Sequence, residues 1–176
     1  TRREGLSTLR TALEEVPEHV GAREALEALL SDRQLFDEVA DALEPVYRAQ
    51  GDHAKLAALF ERRIERAPSR ERTRLRLDLA RVLEERSGNA EAAQRQVERA
   101  LREEPSEYEP FMELERLLSL TGQFAQAATV VTEILRDPAS GIDRELARDL
   151  WTKVAGWRRS QLGDDKVEIL YGTEGA

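Results

Sequence analysis

The side chains most often used in catalysis are rare in this chain. It contains two histidines, His19 and His53, and no cysteine. A catalytic triad places a histidine between a nucleophile and a carboxylate, and a metal site needs several ligands at short spacing. Neither histidine stands in such a pattern, so we expect neither a catalytic role nor a metal site. The absence of cysteine excludes disulfides, thiol catalysis and cysteine-bound metal.

Adjacent carboxylates are the next candidates, because paired acids can divide general acid and general base work. They occur as three pairs, Glu14 with Glu15, Glu103 with Glu104, and Asp164 with Asp165. Each pair lies near a predicted helix end among arginines, where solvated ion pairing is the simpler interpretation. The sequence has no glycine-rich phosphate loop and no nucleophile elbow. We therefore expect no enzymatic activity and no cofactor.

Composition and charge restrict the class of protein further. Charged residues make up 35%, apolar residues 40% and aromatic residues 5% of the chain, which favours helices with narrow apolar stripes over a sheet. The net charge of −8 argues against a nucleic-acid partner and against docking on anionic lipid. No apolar run approaches the roughly 20 residues of a membrane span, so we expect no membrane insertion.

Two arginine clusters remain, at Arg62-Arg63 and Arg158-Arg159. They could bind acidic peptides or phosphates, but pairing with neighbouring acids is the favoured interpretation in so acidic a chain.

The N-terminus, TRREGLSTLR, has no starting methionine and no apolar signal core. We expect the chain to be an excerpt of a longer protein. The absence of cysteine suits a reducing compartment, so a cytoplasmic location is expected, with the periplasm as the alternative because a signal would lie upstream. The excess of arginine over lysine is typical of GC-rich bacterial genomes.

Glycines, prolines and cap residues divide the chain into helical segments, and the short loops between them favour antiparallel neighbours. The fold class predicted is all-α. Pro45 falls inside one segment, so we expect a kink or a break near 42–44. The predicted helices are 4–15, 20–30, 34–50, 53–66, 70–86, 90–103, 108–121, 123–136 and 143–161.

Cap residues support these boundaries. Asp52 and Asn89 each follow a glycine and can accept a hydrogen bond from the first free amides of the next helix. Ser106 and Glu109 have the spacing of a capping box, with Pro110 in the first turn, where a missing N–H is tolerated.

The segment Ser87 to Pro105, SGNAEAAQRQVERALREEP, contains the unit of an internal repeat. Glycines at 51, 88, 122 and 163 are separated by 37, 34 and 41 residues. After each of the first three, apolar residues follow at five, nine and thirteen positions, and a proline closes the unit. A short side chain at the first position lets two helices cross closely. The apolar residues are Leu56, Phe60 and Ile64, then Ala93, Val97 and Leu101, then Ala127, Val131 and Leu135.

This pattern resembles the tetratricopeptide repeat (TPR), a helix–turn–helix of about 34 residues with small and aromatic residues at fixed positions and a closing proline. The resemblance covers roughly 37–138, and 143–163 as the first helix of another unit. It implies a right-handed α-solenoid of antiparallel helix hairpins with about eight to nine helices. The matching positions are Leu43, Tyr47, Gly51, Phe60 and Pro68; Leu79, Ala80, Leu83, Gly88, Ala93, Ala100 and Pro105; and Phe111, Leu114, Leu118, Gly122, Phe124, Ala127 and Pro138.

The resemblance also implies a division of the chain. We expect irregular N-terminal helices at 1–36, TPR-like repeats at 37–68, 69–106 and 107–140, and a partial repeat with a tail at 141–176. Trp151 falls at the favoured tryptophan position, so it is predicted in the core. Trp157 is predicted in the core as well, with an exposed binding anchor as the alternative. Leu56 departs from the family pattern, which has a small residue there.

In TPR proteins the first helices of the units line a concave groove that binds peptides or partner helices. The clamp of the chaperone-binding members is missing, because the only asparagine, Asn89, stands at a helix start. Carried over by position, the groove residues are Glu38, Asp41 and Arg48; Arg74, Leu77, Arg81 and Glu84; Glu109, Met112, Arg116 and Ser119; and Asp149 and Arg159.

These features predict a non-enzymatic protein-interaction module. Its partner would be a peptide or helix of another protein, bound in a mixed-charge groove with Met112 as an adaptable apolar contact. One alternative is a spacer or self-assembly segment of a longer solenoid, associating through its ends. The other is the regulatory arm of a larger enzyme.

Overall fold

The computed structural model describes residues 1–85 and 89–163, and in them the chain is all-α with nine helices and no strand. The all-α class and the helix number are as predicted, and no helix bound differs from its prediction by more than two residues. Gly88 of the repeat pattern lies outside the described residues. The helices are α1 (Arg2–Glu15), α2 (Val20–Leu29), α3 (Phe36–Gln50), α4 (His53–Arg66), α5 (Ser69–Glu85), α6 (Ala90–Glu103), α7 (Glu109–Thr121), α8 (Phe124–Arg136) and α9 (Arg144–Gln161).

The chain divides into two compact units, Thr1–Ala67 and Pro68–Ala176. In the first unit α1 to α4 pack in chain order, and α1 also packs on α3. In the second unit α5 to α9 pack in chain order, and α6 also packs on α8. The boundaries of the individual repeats and the solenoid arrangement stay predictions.

The core of the second unit is built on short side chains in α6. Ala93, Val97, Ala100 and Leu101 are each 0% exposed, and α5 and α6 form the most extensive helix pair in the chain. Ala127 of α8 is also 0% exposed. Ala93 and Ala127 are the small residues five positions after a repeat glycine. Their predicted role is confirmed, because both are buried where neighbouring helices meet.

In the first unit, polar groups fix α4 on the preceding helices. The Tyr47 hydroxyl donates to Glu27 at 3.0 Å, and Lys55 of α4 donates to the same carboxylate at 2.8 Å. Burial and the hydrogen bond to Glu27 raise the pKa of Tyr47 above its ordinary range.

Three arginines of α4 also contact the preceding helices and the connection between them. Arg62 and Arg66 lie over the ring of Phe36, at 5.2 and 4.5 Å from its centroid, and donate to backbone carbonyls of the α2–α3 connection. Arg63 pairs with Asp41 at 2.8 Å and with Glu44 at 3.0 Å. Intramolecular pairing of the Arg62-Arg63 cluster, the favoured interpretation, is therefore confirmed for Arg63, whereas Arg62 bonds a carbonyl.

Of the kink or break expected near 42–44, the break is wrong, because α3 runs from Phe36 to Gln50 as one helix with Pro45 inside it. Proline in a helix interior loses one backbone hydrogen bond and clashes with the preceding turn. Here the side of α3 opposite the exposed Pro45 is buried both before and after it. The buried residues are Phe36, Val39, Ala40, Leu43, Val46 and Tyr47, and their packing holds the two halves in one helix.

The caps are partly as predicted. Asp52 accepts from the backbone N–H of Lys55 at 3.2 Å, whereas Asn89 holds the N-cap position of α6 without a side-chain cap bond. The capping box at Ser106 is wrong: α7 begins at Glu109, with Tyr108 as N-cap. Residues before α7 instead form a turn closed by the Glu107 N–H and the Glu104 carbonyl at 3.2 Å.

Both tryptophans were predicted in the core, but only Trp157 packs against it. The buried stripe of α9 contains Leu150 and Val154, and Trp157 continues it at helical spacing. Trp157 is half-buried, packs against the core of the second unit, and lies 6.3 Å from the ring of Phe124. The core position predicted for Trp151 is corrected, since this residue is half-buried and lies one position away from the stripe.

Two glycines of the second unit allow a direct test of the turn chemistry. Gly122 has φ +67°, while Gly156 lies inside α9, and a Cβ at either would meet no atom within 4 Å. We expect Gly122→Ala to lower the free energy of unfolding by about 1 kcal/mol, because alanine resists the left-handed conformation. Gly156→Ala should raise it by about 0.5–1 kcal/mol. Denaturant unfolding of both variants measures this, and shifts of the same sign would contradict it.

Candidate functional site

A surface cavity of about 630 Å³ lies between α5 and α7 in the second unit, and we call it the α5–α7 groove. It combines three guanidinium groups, five carboxylates and a few apolar or uncharged side chains. Its lining residues are Pro68, Arg70, Glu71, Thr73, Arg74, Leu77, Asp78, Arg81, Glu104, Glu107, Glu109 and Pro110.

One wall of the α5–α7 groove is a single face of α5. Arg70, Arg74, Leu77 and Arg81 follow one another at spacings of three or four residues, which places them on one side of a helix. The arginines are exposed, whereas Leu77 is only 6% exposed and belongs to the core. Leu77 thus forms an apolar floor between cationic positions at the rim.

The opposite wall comes from the connection between α6 and α7. The turn closed between Glu104 and Glu107 brings both carboxylates to the groove, and Glu109 and Pro110 follow in the first turn of α7. Pro110 is buried, and Glu109 is exposed. This wall is therefore acidic at its surface and apolar beneath.

Ion pairs bridge the two walls. Arg81 of α5 lies 3.5 Å from Glu109 of α7 and 3.4 Å from Asp78. Beyond the groove, Arg116 of α7 donates to Glu84 of α5 at 2.8 Å. The Arg116 hydrogen bond holds the pKa of Glu84 below its ordinary value, and the Glu84 bond in turn raises the pKa of Arg116. These pairs join α5 and α7 in the groove and beyond it.

The hydroxyl of Thr73 is an unsatisfied polar group in the groove lining. Thr73 is 6% exposed, and its Oγ1 has no hydrogen-bond partner among the described residues. Leaving such a group buried without a partner costs about 1–3 kcal/mol. Because the oxygen is itself buried, this is a local cost to the fold and not a polar contact that the groove offers to a ligand.

The predicted groove residues of the second unit fall into three groups. Arg74, Leu77 and Arg81 meet in the α5–α7 groove, together with Glu109. Leu77 is only 6% exposed and belongs to the core, so a small part of its side chain faces the groove, and its contact with a partner stays a prediction. Glu84 and Arg116 bond each other, and Met112 and Arg159 are exposed outside the groove lining. Ser119 and Asp149 are also exposed and outside it.

The predicted groove residues of the first unit are exposed, but each already makes an ion pair with a neighbouring side chain. Glu38 lies 3.7 Å from Arg3, and Asp41 accepts from Arg63 at 2.8 Å. Arg48 pairs with Glu44 at 3.1 Å and lies over the ring of Phe60. Asp41 also lines a cavity of about 520 Å³ between α1 and α3, whose other lining residues are Arg10, Leu13, Glu14, Pro17, Ala42, Pro45, Val46 and Ala49.

Sequence reasoning missed several lining residues. Arg70 follows the same helical spacing as Arg74, so the period of α5 could have found it. Glu104 and Glu107 come from a turn whose path no helical period predicts. Thr73 was missed because it lies on the buried side of α5, where the repeat has core residues. The spacing of apolar residues does not show whether a buried hydroxyl has a hydrogen-bond partner.

The histidines and carboxylates of the described residues were the other candidates for a site. No group of three histidines or carboxylates in 1–85 and 89–163 could hold a metal ion. His19 caps α2 by accepting from the Ala22 N–H at 3.1 Å, and His53 is the first residue of α4. No described helix is long and apolar enough to cross a membrane.

Comparison with protein-family models, with curated proteins and with solved structures finds no match to this chain. The TPR resemblance therefore stays an expectation from the residue pattern.

A buried polar network lies behind the groove, between α6 and the α7–α8 hairpin. Glu98 is 5% exposed, and its two oxygens accept from Gln94 at 2.8 Å and from Gln126 at 2.6 Å. Gln94 in turn accepts from the Thr121 hydroxyl at 2.5 Å and lies 3.5 Å from the Gln123 carbonyl. The network joins α6 to the end of α7 and to α8.

Removing the acceptor of this network should destabilise the protein. We expect Glu98→Ala to lower the free energy of unfolding by about 1–3 kcal/mol, because the buried amide of Gln94 loses its acceptor and Gln126 loses its bond to α6. Glu98→Gln should lose less, since it keeps the shape and one acceptor oxygen. Glu91→Ala, at an exposed position of α6, is the control and should lose under about 1 kcal/mol. Equal losses for Glu98→Ala and Glu91→Ala in denaturant unfolding would contradict a structural role.

The ion pair between Arg116 and Glu84 should be visible in acid titration. The pKa of Glu84 is lower in the folded chain, so the pair stabilises the fold above the unfolded-state pKa. That stability is lost as pH falls through the folded pKa. We expect Arg116→Gln to raise the pKa of Glu84, measured by carboxyl-carbon NMR. The stability difference between the two proteins should be full at neutral pH and vanish in acid. An unchanged Glu84 titration in the variant would refute the pairing.

Proposed function

We propose that this chain is a non-enzymatic protein-interaction module that binds a segment of a partner protein in the α5–α7 groove. The observation that carries the proposal is the groove lining itself, with guanidinium and carboxylate groups around an apolar floor of Leu77 and Pro110. A peptide backbone offers donors and acceptors in alternation, and its side chains add charge and apolar surface. A mixed lining is suited to such a ligand.

The size of the groove supports a short segment as ligand. Its volume of about 630 Å³ lies in the range of small-ligand sites, roughly 300–1,000 Å³. Arg70 and Arg74 make no ion pair or hydrogen bond with other described residues, so their donors are available at the rim.

The TPR-like arrangement belongs to the same proposal. With α5–α6 and α7–α8 as successive repeats, α5 and α7 are the first helices that line the groove in the resembling family. A bacterial and cytoplasmic setting, suggested by the residue composition, is part of this proposal as well. Binding without catalysis is supported by the capping role of His19 and by the ion pairs that two acids of the groove, Asp78 and Glu109, make with Arg81.

Peptide selection tests the proposal without a known partner. A random linear peptide library is selected on the immobilised chain, and affinities of enriched peptides are measured by fluorescence anisotropy. Arg74→Glu is the test variant, because Arg74 lines the groove without an internal partner. We expect it to weaken binding by about tenfold or more, the effect of losing one charge-assisted contact.

Arg144→Glu is the matched control for this test. Arg144 is an exposed helix residue of the second unit that makes no ion pair in the described part of the chain and does not line the groove. Its variant should bind within about twofold of the wild type. The proposal fails if no peptide is enriched, or if both variants lose affinity equally. Binding only between copies of the chain, seen by sedimentation, would favour the self-assembly alternative.

A further inference from the structure

A second cleft, lined largely by arginines, lies between α6 and α8. Its volume is about 460 Å³. Arg95, Arg99 and Arg102 line it from α6, at positions i, i+4 and i+7, which share one helix face. Residues of α8 form the other wall, and Glu98 completes the lining. The residues from α8 are Gln126, Thr129 and Val130.

Two of the three guanidinium groups are uncommitted. Arg102 pairs with Glu133 of α8 at 2.7 Å. Arg95 and Arg99 are exposed and make no ion pair or hydrogen bond with any residue in 1–85 and 89–163. The nearest carboxylate in the lining, Glu98, is 5% exposed and accepts from the amides of Gln94 and Gln126. Its oxygens are therefore already bonded within the fold.

The free groups define what would bind them. A guanidinium donates two parallel hydrogen bonds to a carboxylate, so Arg95 and Arg99 can each hold one acid. Along the axis of α6, the three arginines span about 10.5 Å, at steps of about 6 and 4.5 Å. A helix with acids at the same i, i+4, i+7 positions has this spacing. Thr129 is exposed, and its methyl group offers apolar contact in the same cleft, whereas Val130 is 5% exposed and belongs to the core.

We propose that the α6–α8 cleft is a second interaction surface, which binds an acidic, amphipathic helical segment of a protein through Arg95 and Arg99. The inference does not depend on the function proposed for the α5–α7 groove, since it uses different residues. It adds to the molecule a site whose ligand has a defined charge.

Charge favours protein carboxylates over the phosphates of a nucleic acid. The chain carries a net charge of −8, which repels a polyanion at longer range. Glu133 also stands beside Arg102 at the cleft, where a continuous phosphate backbone would meet it. Two or three arginines displace too few counterions for strong nucleic-acid binding. A short acidic segment needs only the two free guanidinium groups.

The test uses defined probes and a matched pair of variants. The probe is a fluorescent alanine-based helical peptide with Glu at i, i+4 and i+7 and one Leu on the same face. Its comparisons are an isomer with the three Glu residues spread around the helix and a single-stranded oligonucleotide. The test variant is Arg95→Gln with Arg99→Gln. The control is Arg144→Gln with Arg148→Gln, an exposed i, i+4 pair on α9 that lies outside the cleft.

We expect the wild type to bind the probe at low salt, and the test variant to bind it about tenfold more weakly or worse. The control should stay within about twofold, and affinity should fall as salt rises. Circular dichroism checks that both variants keep the wild-type helix content and melting. The variant Arg95→Lys with Arg99→Lys, which keeps the charge but not the paired donors, should give an intermediate affinity.

Several outcomes would overturn the proposal. They are no binding of the probe by the wild type at low salt, equal loss in the test and control variants, equal affinity for the isomer, and tighter binding of the oligonucleotide than of the peptide. The Arg74→Glu variant separates the two sites. It should leave probe binding unchanged, so failure of the groove proposal and failure of this one are distinguishable.

Discussion

Close contact between helices of narrow apolar stripes is the constraint on which the second unit depends. Ala93 and Ala100 of α6 and Ala127 of α8 are each 0% exposed, so no space is left for a larger side chain at these crossings. Protein interiors are packed at crystal-like density, and a bulkier residue would separate the helices. In a chain with 40% apolar residues, separation would expose the few side chains that form the core. Close packing on one face also leaves the remaining faces of α5 and α6 polar, and both candidate surfaces lie there.

The buried polar network then fixes the orientation of α6, and so determines which of its polar residues face α8. Glu98 is bonded to Gln126 of α8, so α6 cannot rotate about its axis without breaking that bond. The positions that flank Glu98 on the helix surface, Arg95, Arg99 and Arg102, are thereby directed to the α6–α8 cleft. On the other side, Arg76 of α5 bonds Glu103 of α6 at 2.8 Å, which fixes α5 in the same way. Buried or half-buried polar bonds set the register here, while the apolar stripe supplies the stability.

Most of the helices could be predicted from the sequence because a few adjacent residues determine where each helix begins and ends. Gly51 and Gly122 adopt positive φ, and Asp52 caps α4, so each boundary depends on a few adjacent residues. The candidate site was less predictable. Trp151 was misplaced by carrying a position over from a repeat pattern, because a shift of one residue turns a helix position by 100°. The acids of the α6–α7 turn were missed because a turn has no period.

The two candidate surfaces differ in charge and share α6 as a neighbour, which raises the question of coupling between them. The lining of the α5–α7 groove has five carboxylates and three guanidinium groups, whereas that of the α6–α8 cleft has three guanidinium groups and one buried carboxylate. Coupling requires an element with two arrangements that both ligands bias. Ala93, Val97 and Leu101 of α6 are 0% exposed, so a shift of α6 would disturb the core of the second unit. We therefore expect no coupling through α6, and the two binding free energies should add.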